Sequence, residues 1–236
     1  MTKQAGLSLM LGVALAFVGS LFMPGNFLID TADPIDYAST VDAWANNTVL
    51  AQWMTFLILI SMMLMVFGAL GLYPLASSQG GLAGRLLQFG IVASIIEWSI
   101  LVIAQGMRHF SIHLLQRDEL GHSGLDFATG ALEVHVVTIA ITMAFLALFP
   151  IATFLTGYGL AARFSSMDVY KIASYTLVIG GAVGFVNFIF ALNSPDLGLD
   201  LLLYVNSAIL WIGGICLFII GLGMYKGRSE LTAEAA

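Results

Sequence analysis

The chain has 236 residues, 59% of them hydrophobic and 9% charged, with a formal net charge of −6. Soluble domains carry roughly 25% charged residues to cover their surface, so a mean hydropathy of +0.96 excludes a water-soluble fold and makes lipid the main solvent. Eight lysines and arginines form no basic patch, which speaks against nucleic acid as a partner, and a single cysteine, Cys216, excludes an internal disulfide.

Apolar stretches of about 20 residues cross roughly 30 Å of hydrocarbon as helix, and the chain offers six of them. The first covers about residues 5–23. Behind Lys3 it has the layout of a secretory signal, but it is long for one and is read as a retained span. Pro24 and Gly25 end it. The outer loop 24–48 carries Asp30, Asp33, Asp36 and Asp42 and no basic residue. Within it Ile35, Tyr37, Val41 and Trp44 recur at near-helical spacing, which predicts a short helix on the membrane surface with Tyr37 and Trp44 at the interface.

The second span, 49–72, closes at Tyr73-Pro74. Its Met62 and Met65 share a face that Met63 does not, a pattern read as packing. The third span, 86–106, belongs to a helix expected to run on to about Gln116 before QRDELGHSG turns the chain. The fourth is placed at 128–150, although the apolar stretch continues to Phe164. Pro150 is expected to bend it, because proline removes a backbone bond and clashes with the preceding turn. Spans at 172–192 and 201–225 complete an all-α, polytopic bundle of six transmembrane helices, read as one domain over 1–236. Gly180, Gly181 and Gly184 permit close helix packing there.

Basic residues set orientation. Lys3, Arg85, Arg163, Lys171, Lys226 and Arg228 fall on one side, and Arg108 and Arg117 on the other, which places both termini in the cytoplasm of a bacterial inner membrane. The expected surroundings are a lipid bilayer, with a homo-oligomer or a larger membrane complex left open.

Charges inside spans cost roughly 2.5–3.5 kcal/mol each on insertion scales, so they face protein, water or a partner. Glu97 lies near the midplane of the third span, and Arg108, eleven residues on, returns to nearly the same helix face. Gln105 neighbours that stripe. Equal counting from the turn near Leu120 and Gly121 puts Arg108 level with Glu133, and an Arg108–Glu133 ion pair is the plain structural reading. Glu97 falls level with apolar Phe145 and has no partner. The same counting about Asp196 puts Asn187 and Asn206 at one level. The leading expectation is an outward-facing polar site for an ion or small ligand, without catalysis, lined by Glu97, Gln105, Arg108, Glu133, His135, Asn187 and Asn206. Interhelical hydrogen bonding alone is the simpler alternative.

A haem b or metal site in a redox subunit is a second alternative, with His109 and His135 as axial ligands. His109 and His113, spaced i and i+4, could share a metal at the surface, whereas Glu133 and His135 point about 200° apart and serve one ion poorly. A third alternative is an accessory subunit whose polar residues lock helices within a larger complex.

Three features give the chain a family likeness: the acidic segment DYASTVDAWANN leading into the second span, the Leu72-Tyr73-Pro74-Leu75 close of that span, and Glu97 inside the third. In these it resembles a family of six-span bacterial membrane proteins catalogued as a domain of unknown function. The resemblance covers about the first half of the chain and implies the fold, with no activity. Members carry an arginine one turn before the glutamate, where this chain has Ser94.

Overall fold

In lipid every backbone N–H and C=O must be satisfied within the chain, so each long apolar stretch becomes a helix. A computed structural model describes residues 2–122 and 126–232, and for residues 195–199 the helix alone. The helices are α1 (Thr2–Phe22), α2 (Tyr37–Asn46), α3 (Thr48–Leu70), α4 (Tyr73–Gln79), α5 (Gly81–Glu119), α6 (Phe127–Ala161), α7 (Val169–Asn193) and α8 (Pro195–Lys226), followed by a 3-10 turn at Ser229–Leu231. Among the described residues there is no strand. Six of the helices are long and apolar enough to cross a membrane, which makes a lipid bilayer the natural environment of the chain.

Local chemistry places the helix ends. The Asp36 carboxylate accepts from the Ser39 N–H at the start of α2, and Asp168 accepts from the Tyr170 and Lys171 N–H groups at the start of α7. Such caps satisfy donors that a helix start leaves open. Gly227, at φ 72°, ends α8 in the left-handed region that glycine tolerates best. At the start of α6, Asp126 accepts from both the N–H and the hydroxyl of Thr129. These two bonds hold the Asp126 carboxyl below the usual carboxylate range. A depressed folded value adds stability above the unfolded value of about 3.9 and loses it as pH falls through the folded one. Asp126→Ala is therefore expected to lower the unfolding midpoint at neutral pH, with the gap to wild type closing in acid. A gap independent of pH would contradict that account of the cap.

The long helices close a ring in the order α1, α3, α5, α6, α7, α8 and back to α1. Glycines let backbones meet around it. A Cβ on Gly6 of α1 would stand 2.5 Å from the Gly221 carbonyl oxygen of α8, and one on Gly90 of α5 would stand 2.6 Å from the Thr156 nitrogen of α6. The contact of Gly6 with Gly221 also brings the start of α1 and the end of α8 to one end of the ring, the terminal end. At the other end α2 lies across α3, α5 and α6.

Some expectations hold in the structure, the run-on of the third helix among them, and others change. With 39 residues, α5 is roughly 58 Å long at 1.5 Å per residue, well beyond the hydrocarbon thickness. The fourth span does not stop at Pro150: α6 continues through it to Ala161. The predicted surface helix forms as α2, but Trp44 does not sit at an outer interface. It is 1% exposed, facing into the bundle, with its indole N–H donating to the Pro24 carbonyl at 3.0 Å. Met62 and Met65 are buried and Met63 is exposed, as their spacing predicts.

The chain end docks against the α6–α7 connection. Arg228 pairs with Asp168 at 2.6 Å and with Glu230 at 3.2 Å, and Arg163 donates to the Glu230 carbonyl at 2.6 Å. Leu231 is 1% exposed, packed on Gly223. Half-exposed ion pairs contribute little, so the buried leucine is the main anchor. Leu231→Asp is expected to release the tail, read as faster proteolysis after Lys226 or Arg228 in the intact protein. Unchanged cleavage would assign the anchoring to the ion pairs.

Candidate functional site

The inner face of α5 is a buried stripe, interrupted by partly buried residues between Trp98 and Ala104 and between Gln105 and Ser111. It includes Leu87, Ile91, Ser94, Glu97, Trp98, Ala104, Gln105, Ile112 and Leu115. Glu97 is 2% exposed and Gln105 6%. The structure thus places Glu97 and Gln105 on one inward line and Arg108 beside it, partly buried.

Glu97 lies against a cavity at the centre of the ring. The cavity gives water centres about 50 Å³ of room and is lined from α3 (Met65), α5 (Ser94, Glu97, Trp98), α6 (Phe149, Thr153, Thr156), α7 (Leu177) and α8 (Leu210, Gly213, Gly214, Leu217). A single water needs roughly 10–15 Å³ by this measure, so the space holds about three or four. Within the protein, Oε2 of Glu97 and Oγ1 of Thr156 are buried and unpartnered. A smaller space of about 10 Å³ adjoins it, sharing Ser94, Trp98, Thr156 and Leu217 and reaching Leu72 and Ile91 toward the terminal end. Among the described residues no Lys, Arg or His lines either space. A carboxylate in such a place is far too costly to leave bare, and is neutral only through a proton or a bound cation.

The outer level is a separate cluster beneath α2. Trp44 stands edge-on to His135, ring centroids 4.6 Å apart, and Tyr37 does the same at 5.7 Å. Arg108 lies over the Trp44 ring at 5.6 Å and donates to Gln105 Oε1 at 3.3 Å. The Arg108 Nε and His135 Nδ1 atoms are buried without partners. A guanidinium over an indole face is an attractive cation–π contact, so Trp44 supplies part of what a carboxylate counter-ion would have given. Arg108 and Trp44 also stand between the Glu97 cavity and the α2 end.

The remaining expected residues do not join one pocket. Glu133 is on the exposed face of α6 while His135, two residues on, is 3% exposed. The Arg108–Glu133 pair does not form: among the described residues the ion pairs are both made by Arg228. Equal counting from the turn gets depth approximately right but says nothing of direction, and only one of two residues 200° apart can face inward. Asn187 donates to the Leu201 carbonyl at 3.1 Å and to Asn206 Oδ1 at 3.4 Å, linking α7 to α8 as equal counting predicts. Asn206 is 0% exposed, one turn outward of Leu210 on the same face of α8. Its level is nearer the Glu97 cavity than the Arg108 cluster, and Asn187 stands partly exposed at the ring's edge.

Geometry also separates the histidines. His109 and His113 are exposed on α5 and lie off its buried stripe, whereas His135 is enclosed under Trp44. His109 and His135 do not face each other across a haem-sized gap. Among the described residues no three His, Cys, Asp or Glu side chains gather as a metal site.

Sequence reasoning missed Ser94, Trp98, Thr153 and Thr156. Ser94 and Trp98 were within reach, being spaced i and i+4 on a face that Glu97 adjoins. Thr153 and Thr156 lay past Pro150, where the span was ended. A one-turn shift added to this: near the turn the Ser111 hydroxyl meets the Ala131 carbonyl at 2.7 Å, but deeper down Gly90 meets Thr156 and Gly159 meets Leu87. Glu97 consequently lies by Phe149 and Thr153 and not by Phe145. Comparison with protein-family models, curated proteins and solved structures returns no match, so the reading of this site rests on its own geometry.

Proposed function

We propose that the chain is a non-enzymatic, multi-pass protein of a bacterial inner membrane, termini in the cytoplasm, whose bundle encloses a site for an ion or small ligand centred on Glu97. One observation carries this reading: an unpartnered, buried carboxyl oxygen faces a cavity that five helices of the bundle line with otherwise mainly apolar side chains. Ser94, Thr153 and Thr156 give the cavity hydroxyls, and Trp98 closes one wall. Gln105, Arg108 and His135 form an outer layer that α2 covers, with Glu133, Asn187 and Asn206 outside the cavity wall. The positive charge of Arg108 and the Trp44 lid oppose a cation arriving from the α2 end. The smaller adjoining space favours approach from the terminal end, so the proposed site is less outward-facing than its depth in the sequence implies.

The test compares purified wild type with Glu97→Gln, which keeps shape and removes the ionisable group. Unfolding midpoints are measured across acid to alkaline pH and against a panel of inorganic cations and small amines. The expected result is at least one response, to protons or to a solute, that wild type shows and Glu97→Gln lacks. Identical responses of the two proteins to every condition would overturn the proposal.

A further inference from the structure

We propose that the Glu97 cavity binds one small alkali cation in exchange for one proton, an inference that rests on the proposed interior site and names its ligand. The donor set is the first argument. The side-chain heteroatoms at the cavity wall are oxygens of Glu97, Ser94, Thr153 and Thr156, the indole nitrogen of Trp98 and the sulfur of Met65. Hard oxygen donors select hard cations, and with no imidazole or thiolate present the set does not suit zinc, copper or iron.

Charge is the second argument. The wall carries one carboxyl and no basic side chain. Arg108, the nearest cation on the same helix, is eleven residues along α5, roughly 16 Å away at 1.5 Å per residue. One negative charge balances one monovalent ion, whereas a divalent ion would leave a net charge buried among Phe149, Leu177, Leu210 and Leu217. Among the described residues no other acidic or histidine side chain joins Glu97 at the wall, which points the same way.

Size is the third argument. About 50 Å³ open to water-sized centres accommodates an ion with two or three of its waters, since each needs roughly 10–15 Å³. An ammonium with four or more heavy atoms besides its nitrogen exceeds the three or four water sites of the space. The ion then keeps part of its hydration shell and takes its remaining ligands from Oε2 of Glu97 and Oγ1 of Thr156, two oxygens of the cavity wall that are buried without protein partners.

Glu97 as carboxylic acid plus M⁺ gives Glu97 carboxylate paired with M⁺, and a proton leaves to water. The cavity is electrically neutral on both sides of the reaction, so an apolar bundle tolerates either form. Bound cation and bound proton exclude each other, which predicts that apparent cation affinity weakens about tenfold for each unit of pH below the titration of the site.

The experiment uses the full chain in detergent. Unfolding midpoints and Trp fluorescence are followed while LiCl, NaCl or KCl replaces choline chloride at constant ionic strength, with MgCl₂ and CaCl₂ as charge controls, at several pH values. The expected result is a saturable upward shift with at least one alkali cation, weakened by acid and absent in Glu97→Gln. Thr156→Val, which keeps shape and removes one ligand oxygen, is expected to weaken the same response several-fold while folding normally, and serves should Glu97→Gln fail to fold. A Glu97-dependent response to protons with none to alkali cations would overturn the cation and leave the interior site standing. So would stabilisation by divalent cations alone. No Glu97-dependent response to anything, protons included, would remove both.

Discussion

Trp44→Ala is expected to lower the unfolding free energy by about 3 kcal/mol or more, the ordinary cost of deleting a buried tryptophan side chain. The ring is 1% exposed and touches two outer-level side chains at once, lying under the Arg108 guanidinium and edge-on to the His135 imidazole. Its removal takes away the cation–π contact and opens Arg108 Nε and His135 Nδ1 to water from the α2 end. Trp44→Phe keeps an aromatic face for Arg108 but loses the N–H bond to the Pro24 carbonyl, about 1 kcal/mol, and part of the buried ring volume, so its cost is expected to fall between that figure and the cost of Trp44→Ala. Denaturant or thermal unfolding of the two variants in one detergent checks the order. A Trp44→Ala protein within about 1 kcal/mol of wild type would mean that α2 merely rests on the bundle.

Gly181→Ala is expected to cost about 1–3 kcal/mol through overpacking, whereas Gly180→Ala next to it should be neutral or slightly stabilising. A Cβ on Gly181 would run into the Phe154 nitrogen and stand 2.6 Å from the Pro150 carbonyl oxygen, so the backbones of α6 and α7 must part. On Gly180 it would meet only the Ile209 Cγ2 methyl, at 3.2 Å. That methyl can turn aside, and alanine favours helix by about 1 kcal/mol over glycine. The effect also reaches the site, because Leu177, one turn from Gly181, forms the α7 wall of the Glu97 cavity. Unfolding midpoints of the two variants decide it: equal effects would show that the α6–α7 contact is not backbone-limited.

The architecture was legible because lipid leaves the backbone few choices. Six apolar stretches of spanning length become six helices, and Gly or Pro near their ends marks the turns. The α2 helix was legible from its spacing too, but its orientation was not. Amphipathic periodicity identifies the Trp44 face without saying whether lipid or protein meets it, and Arg108 and His135 provide the protein surface that draws the ring inward. Burial of Glu97 followed from the cost of a charge at depth. Its cavity did not, for two physical reasons. Proline at Pro150 was treated as the end of a span, yet α6 passes through it and carries Thr153 and Thr156 inward. And two packed helices need not keep equal count from their turn: the close contact of Gly90 with Thr156 moves α6 by about one turn relative to α5. The proposed Arg108–Glu133 pair failed on direction, since the face of α6 that holds His135 inward turns Glu133 out.

The most direct test of an isolated carboxyl at Glu97 is the infrared spectrum of wild type minus that of Glu97→Gln. It is recorded in choline chloride at acid pH and again after exchange into alkali chloride at higher pH. The account predicts one protonated carboxyl band, set apart from those of solvated acids, that belongs to Glu97 and gives way to carboxylate bands when the cation enters. A difference spectrum with no carboxyl band in either condition would contradict it.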